Sequence, residues 1–284
     1  MERRNKERAF GILLKLLGTL AALPIFIIVA FVVYNGIRAI SRDFITKTPQ
    51  GFGENVSGGI AHAIVGTVFV MIVASFIGIP LGVLTGAYLS ERKESKLYRF
   101  VERSVGALMG IPSVVVGLVV YLLLVVHTGP CAFAGGVSLA LVMRPMVSES
   151  TRVALASVPQ EIKEGGFALG AKRHQVLVDI TIPAARKNVL VGIVLAVGRA
   201  MGEAAPILFT AGYADAMPRS VRDPAPTLPY IIYVYALYYP RDVYRLRARG
   251  ASLILLAISL SFVYLSRRWR YERYRIRKIL SVGR

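Results

Sequence analysis

Six apolar stretches, long enough or nearly long enough to cross a lipid bilayer, alternate with shorter polar segments along the chain. A membrane-spanning helix needs about 20 predominantly apolar residues. The pattern predicts spans at about 13–36, 60–88, 104–127, 131–149, 188–212 and 250–266. The fourth stretch is short and carries Arg144, whereas the sixth is short but free of charge. We therefore expect an all-α, polytopic membrane protein.

Small residues and prolines inside these stretches predict how the helices pack. Glycine recurs at four-residue spacing, which lets helices approach closely in lipid. The glycines are Gly78, Gly82, Gly86, Gly106, Gly110, Gly198 and Gly202. Pro80, Pro112 and Pro206 are expected to kink or locally open three of the helices. These residues predict a compact bundle and carry no information about chemistry.

The composition supports a membrane protein and argues against nucleic-acid binding. Of 284 residues, 55% are hydrophobic and only 18% are charged, which is too apolar for a soluble domain. The formal net charge is +19, but the basic residues lie between apolar stretches and do not form one soluble face. We expect one transmembrane domain over 1–284, with an N-terminal segment at 1–12, a core at 60–266 and a basic tail at 267–284 that lies on anionic headgroups.

The distribution of Lys and Arg predicts the orientation. The polar segments on one side of the predicted membrane carry 24 of these residues, and those on the other side carry nine. The first set comprises 1–8, 89–104, 144–187 and 267–284, and the second comprises 38–59, 128–130 and 213–249. Because Lys and Arg are enriched in cytoplasmic loops, both termini are expected to be cytoplasmic.

The motifs of common enzymes and metal sites are missing from the sequence. It has no G-x-x-x-x-G-K-[ST] loop, so the chain is not expected to hydrolyse ATP. It also lacks H-E-x-x-H, C-x-x-C and G-x-S-x-G. The single cysteine, Cys131, excludes an intrachain disulfide and a cysteine metal cluster. We expect neither a catalytic residue nor a bound cofactor.

A cytoplasmic segment at about 150–187 predicts a docking element. From Glu164 to Ala185 it reads EGGFALGAKRHQVLVDITIPAA, which predicts two short helical pieces with a hinge at Gly170. Pro183 marks the start of the fifth span or its approach. A short amphipathic element between two spans is suited to docking in a groove of a partner protein.

This segment resembles the cytoplasmic motif of importer permeases in ATP-binding-cassette systems. The motif reads E-A-A, three residues, G, nine residues, I, one residue, L-P. The matching residues are Glu164, Gly165, Gly166, Gly170, Ile180, Ile182 and Pro183. The spacing is retained, but glycine replaces both alanines, which lowers helix propensity by up to ~1 kcal/mol each, and isoleucine replaces leucine. The resemblance implies that this segment is the coupling helix that receives the movement of the ATPase.

Nearly the whole chain is similar to the PstA-type permease subunits of phosphate importers. The similarity rests on AIVGTVFVMIVASFIGIPLGVLTGAYLSE, GIPSVVVGLVVYLLLVV, GRAMGEAAPILFTAG and TLPYIIYVYA. The APILFTA within the third of these favours this subunit type over its sister. The resemblance implies a heterodimeric permease pair, a dimer of a cytoplasmic ATPase that uses the ATP, and an external phosphate-binding protein.

Two full charges, Arg199 and Glu203, stand in the middle of the fifth apolar stretch. A charge at the bilayer centre costs roughly 2.5–3.5 kcal/mol on insertion scales. Their i, i+4 spacing predicts an ion pair on one helix face, directed into the bundle. Arg199 is suited to grip two phosphate oxygens, and Glu203 to hold Arg199 when no ion is present. Glu203 can also accept a hydrogen bond from a protonated phosphate oxygen, which sulfate lacks at neutral pH.

Other interpretations stay open on the sequence alone. The ion pair can instead link helices or lock two permeases together. Arg144 is a second candidate for lining the pathway, although we expect it nearer the cytoplasmic end, where it can snorkel. The substrate can be another oxyanion, such as molybdate, sulfate or phosphonate. A stand-alone secondary transporter, for which we find no internal repeat, and a non-transporting scaffold are further alternatives.

Overall fold

The computed structural model describes residues 2–50, 57–91, 95–237 and 242–281, with side chains for 10–50, 57–91, 95–237 and 242–268. Within these ranges the regular structure is helical, apart from one isolated antiparallel bridge between Gln50 and Ser57. The expectation of an all-α chain is confirmed. The predicted tail at 267–284 falls mostly outside the described side chains.

Eleven helices matter for the description of the bundle. They are α1 (Glu2–Gly36), α2 (Arg42–Thr46), α3 (Ala61–Glu91), α4 (Lys96–Gly110), α5 (Ser113–Thr128), α6 (Ala132–Ala156), α7 (Gln160–Ala168), α8 (Arg173–Ala200), α9 (Ala205–Thr210), α10 (Leu228–Leu237) and α11 (Asp242–Ser281). Four described segments are long and apolar enough to cross a membrane, in α1, α3, α8 and α11, and the bent pair of α4 and α5 can supply a fifth.

The first, second and sixth predicted spans are confirmed as parts of long helices. The apolar segments Phe10–Ala39, Ala61–Glu91 and Asp242–Arg268 contain almost all of the predicted ranges. Each helix extends beyond its apolar stretch into polar flanking residues at one end or at both.

The third predicted span, 104–127, is not one straight helix. Helix α4 ends at Gly110, α5 starts at Ser113, and their axes are bent by 103°. Ile111 is extended, at φ −74° and ψ 127°, because the ring of Pro112 disfavours a helical conformation in the preceding residue. The proline thus breaks the span and turns α4 away from α5.

The fifth predicted span, 188–212, is wrong at both ends. Helix α8 begins at Arg173 and ends at Ala200, and the short helix α9 follows after a break at Met201–Ala204. Pro206 has no N–H for the carbonyl of Gly202, and its ring collides with that carbonyl in a continuous helix. The break therefore lies four residues before this proline.

The predicted close approach of helices is observed between α3 and α6. A Cβ built on Gly82 would lie 2.6 Å from the Cβ of Val147, and one on Gly86 would collide with the carbonyl of Ser148. Helix α6 (predicted at 131–149) is longer than expected, and its inner face joins α3, α8 and α9 in one core cluster. The cluster contains Val70, Met71, Ala74, Ala132, Leu139, Met143, Val147, Ala196, Ala200, Ile207, Ala211 and Ala225.

Candidate functional site

The coupling segment at about 150–187 folds into two helical pieces joined at Gly170, as predicted. Gly170 has φ +82°, a conformation that favours glycine, and its N–H donates to the carbonyl of Phe167 at 2.9 Å. Helix α7 carries Glu164, Gly165 and Gly166 on one side of this turn. The second piece is not short, however, because it continues without interruption into α8 up to Ala200.

Close packing holds the two pieces together. Gly166 is buried, and a Cβ built on it would lie 2.6 Å from Cδ1 of Ile180 and 3.2 Å from Cγ2 of Val176. Residues Val176–Thr181 form a π-helical turn, and the hydroxyl of Thr181 donates to the carbonyl of Val176 at 3.0 Å. Such single turns often mark functional positions. Gly166 and Ile180, placed fourteen positions apart by the motif, are therefore direct neighbours.

The remaining motif residues lie on the surface of the segment. Glu164 and Gly165 are exposed on α7, and Ile182 and Pro183 are exposed where the regular α-helical part of α8 starts. Helix α7 and the residue that follows it also expose large apolar side chains that are not covered within the described chain. These are Ile162 and Phe167 in α7 and Leu169 directly after it, the last of them 91% exposed. The surface has the mixed apolar and charged character that suits docking.

Arg199 and Glu203 lie at the break between α8 and α9. Arg199 occupies the last turn of α8 and is exposed, whereas Glu203 lies in the non-helical link and is half-buried. The expected one-turn ion pair is not formed among the described residues, because the helix ends at Ala200 before Glu203 is reached. Ala196 and Ala200 flank Arg199 and are buried against the middle of α6, so the break lies deep in the bundle.

Ser113 is a partner of Glu203 that sequence reasoning missed. Its hydroxyl donates to Oε2 of Glu203 at 3.1 Å, and the two residues are ninety positions apart. Ser113 is the first residue of α5, directly after the proline that breaks the third span. Gly117, one turn further along α5, is packed against the backbone of Pro206 in α9, which fixes the distance between the two helices. The break before α5 and the break before α9 are thus joined by the hydrogen bond between Ser113 and Glu203.

Two further arginines of α6 have contrasting surroundings. Arg144 lies at the midpoint of α6, and its buried Nε has no hydrogen-bond partner among the described residues. Arg152 instead makes a bidentate ion pair with Glu149, with N···O distances of 2.6 and 2.8 Å. Arg144 is therefore the arginine of this helix whose charge is not compensated within the described part of the chain.

The described parts of the segment at 213–249, residues 213–237 and 242–249, are hydrogen-bonded to the N-terminal part of the bundle. The N–H of Leu228 donates to Oγ1 of Thr67 at 2.9 Å, and Arg247 donates to the carbonyls of Ser57 and Gly58 at 2.7 and 3.1 Å. Tyr213 donates to Asp215 at 2.5 Å. Burial, together with the neighbouring Tyr235 and Asp215, raises the pKa of Tyr213, which therefore stays protonated as a donor.

No group of three or more His, Cys, Asp or Glu side chains that could hold a metal ion occurs in the residues that the structure describes. The break between α8 and α9 carries the guanidinium of Arg199, the carboxylate of Glu203 and the hydroxyl of Ser113, of which the last two are hydrogen-bonded to each other.

Comparison with known proteins identifies the family. The model of the family described as binding-protein-dependent transport system inner membrane component matches residues 78–271. A probable phosphate transport system permease protein PstA of Methanocaldococcus jannaschii is 35% identical over 261 residues, 91% of this chain and 92% of that protein. The phosphate transport system permease protein PstA of Haemophilus influenzae is 35% identical over 226 residues, 79% of each chain.

The fold is also that of a solved transporter. The chain is similar to one in the inward-facing MetNI methionine ABC transporter, with a TM-score of 0.59 and 20% identity, over 75% of this chain and 94% of that chain. At this identity the likeness shows the fold alone. Together with the long apolar helices, the family match makes this a multi-pass membrane protein. The chain belongs to the family of binding-protein-dependent transport system inner membrane components, and this membership implies a partner ATPase and a substrate-binding protein.

Proposed function

We propose that the chain is the permease subunit of an ATP-driven phosphate importer and forms half of its translocation pathway. The relatives that are 35% identical over most of the chain are phosphate permeases, which supports phosphate as the substrate. One structural observation supports the mechanism: α8 starts within the coupling segment and ends at Ala200, directly after Arg199. A displacement at the docking element is therefore carried along one helix to the break beside Glu203.

The partners follow from this proposal. A sister permease forms the other half of a heterodimer, a cytoplasmic ATPase dimer hydrolyses ATP, and an external binding protein delivers phosphate. Both termini of this chain face the cytoplasm, and the chain itself binds no cofactor. The movement of the ATPase is received by the motif residues of the coupling segment, which are Glu164, Gly165, Gly166, Gly170, Ile180, Ile182 and Pro183.

The chemistry of the break suits phosphate. The side chain of Arg199 is exposed on this chain, which leaves it accessible to an anion and to a sister permease, and a planar guanidinium can bind two oxygens of one anion. Glu203, held by Ser113, accepts a hydrogen bond from the protonated oxygen of phosphate. Sulfate has no such proton at neutral pH and meets a carboxylate that repels it. These proposed contacts favour phosphate over sulfate.

The test is uptake of radiolabelled phosphate by the complete complex in proteoliposomes, with ATP inside and loaded binding protein outside. We expect ATP-dependent uptake that excess sulfate does not reduce, and a loss of about tenfold or more in Arg199→Gln, because a charged contact contributes about 1.5–3 kcal/mol. Equal competition by sulfate would remove the role of Glu203 and favour another oxyanion. Uptake by this chain alone, driven by a proton or sodium gradient, would instead establish a secondary transporter.

A further inference from the structure

Glu91 joins the end of α3 to both pieces of the coupling segment. Its Oε1 lies 3.8 Å from Nζ of Lys163 in α7, and its Oε2 lies 3.8 Å from Nε of Arg173, the first residue of α8. The side chains of Glu91 and Lys163 are only 16% and 13% exposed, whereas that of Arg173 is 62% exposed. One carboxylate thus attracts two cations that lie on opposite sides of the Gly170 turn.

The position of α3 gives these ion pairs a consequence for the bundle. Helix α3 is packed against α6 so closely that a Cβ on Gly86, five residues before Glu91, would collide with the carbonyl of Ser148. Packing of this kind transmits displacement because neither backbone can yield. A coupling segment fastened to Glu91 therefore moves with the α3–α6 pair as well as with α8.

We propose that Glu91 is the positioning residue that fastens the coupling segment to α3, so that ATP-driven movement reaches the bundle along two routes. This proposal rests on the proposed transport function. The first route is covalent and runs through α8 to Arg199, and through residues 157–159 back into α6. The second is electrostatic and runs from Lys163 and Arg173 through Glu91 into α3. Without the second route, the coupling segment can be displaced relative to the end of α3, and ATP hydrolysis then proceeds without the full opening of the pathway.

The measured quantity is the number of phosphate ions taken up per ATP hydrolysed in the reconstituted complex with loaded binding protein. We expect Glu91→Gln to lower this ratio by roughly twofold to fivefold, the effect of losing partly screened ion pairs. Asp242→Asn removes the same charge from an ion pair of the same length, 3.8 Å to Arg245, that lies outside the coupling segment in α11, and we expect the wild-type ratio for it. A wild-type ratio in Glu91→Gln would overturn the proposal.

Charge reversal separates positioning from mere folding. Glu91→Lys places three cations together, and we expect it to lower the ratio further than Glu91→Gln does. Adding Lys163→Glu restores an opposite-charge pair with the direction exchanged, and we expect recovery of most of the ratio. If Glu91→Gln fails to assemble, this double variant decides: recovery of assembly and ratio supports the proposal, and no recovery overturns it.

The outcome for the wild type keeps the two proposals apart. A wild-type complex that shows no ATP-dependent phosphate uptake would contradict the transport function. A wild-type complex that transports phosphate, together with an unchanged ratio in Glu91→Gln, would contradict the role of Glu91 alone.

Discussion

The carboxylate of Glu203 is joined to the bundle by one hydroxyl group. Ser113 donates to it at 3.1 Å, and both residues are half-buried at the two helix breaks that Pro112 and Pro206 cause. A hydrogen bond to a charged acceptor away from bulk water is stronger than one between neutral groups. The side chain of Glu203 is therefore oriented by α5, and it does not form the ion pair with Arg199 that the sequence predicts.

We expect Ser113→Ala to lower the initial rate of phosphate uptake at subsaturating phosphate by roughly tenfold, because a hydrogen bond to a charged group contributes about 1.5–3 kcal/mol. Ser113→Thr keeps the hydroxyl and should retain most of the rate. The matched control is Ser104→Ala, since the hydroxyl of Ser104 bonds only the carbonyl of Phe100 within α4. An unchanged rate in Ser113→Ala would show that Glu203 is held by other means.

Variants of Arg144 and Arg152 test which arginine of α6 is needed for transport and which one stabilises the fold. Arg144 has a buried Nε without a partner among the described atoms, so Arg144→Met removes an uncompensated charge and should leave the thermal midpoint of the purified complex unchanged or raise it. We expect phosphate uptake to fall in the same variant. Arg152→Met breaks the bidentate pair with Glu149 and should lower the midpoint. A lower midpoint in Arg144→Met would assign that arginine to structure.

The sequence predicts some of these residues and not others for a clear reason. A charge inside an apolar stretch can be recognised from the sequence alone, and this is how Arg199, Glu203 and Arg144 are predicted. Ser113 is not predicted, because a serine is common in membrane helices and its importance depends on a residue ninety positions away. The pairing of Arg199 with Glu203 was predicted on the assumption of a continuous helix, which Pro206 interrupts.

At the scale of elements, the coupling segment owes its shape to two glycines with different roles. Gly170 provides the left-handed turn between α7 and α8, at φ +82°. Gly166 provides space, since Ile180 and Val176 occupy the volume where a larger side chain would lie. A third, Gly165, has nothing within 4 Å of a built Cβ. Where the family motif has two alanines, only one of the two glycines is therefore in close packing.

We expect Gly170→Ala to destabilise the coupling segment by roughly 1–2 kcal/mol, because an L-residue in the left-handed region pays this cost. Gly165→Ala, five residues away in a helix with open space, should instead stabilise α7 by up to about 1 kcal/mol. Limited proteolysis of the complex around Phe167 measures both effects, with faster cleavage for the first variant and slower cleavage for the second. Equal cleavage of the two would show that the turn is not strained by alanine.

Element boundaries were harder to predict than the elements themselves. The prolines at 112 and 206 were expected to kink or open helices, and both do so. Hydropathy, however, continues across both breaks, so apolar counting places spans at 104–127 and 188–212. Pro80 lies inside the continuous helix α3, which shows that a proline alone does not fix a break. Tertiary packing, such as Gly117 against Pro206, decides which proline ends a helix.

At the scale of the whole molecule, the chain has a packed core and one helix largely outside it. Large apolar side chains of α1 are exposed on every side of the helix, and its last residue, Gly36, is packed against Leu253 of α11. The apolar pattern of 13–36 predicts a span but not where it packs. Surface of this kind is stable only in lipid or against a partner, which agrees with the multi-pass membrane protein that the family match indicates.

The orientation of the chain in the membrane can be tested by labelling introduced cysteines, with the native cysteine as the background. Cys131 is 4% exposed, so the wild-type chain should react poorly with a membrane-impermeant maleimide. Arg219→Cys places a thiol at an exposed position of the loop between α9 and α10, which contacts the N-terminus of α6. Lys172→Cys places a thiol beside the Gly170 turn. Because Lys and Arg predict a cytoplasmic coupling segment, intact cells should label the first variant and not the second.

Permeabilised cells should label both variants, which controls for the accessibility of each thiol. The reverse pattern, with Lys172→Cys labelled in intact cells, would place the coupling segment outside. A segment there could not meet ATP or the ATPase, and the continuous helix from Arg173 to Ala200 would have no source of movement. The orientation is thus the condition on which both routes from the coupling segment into the bundle depend.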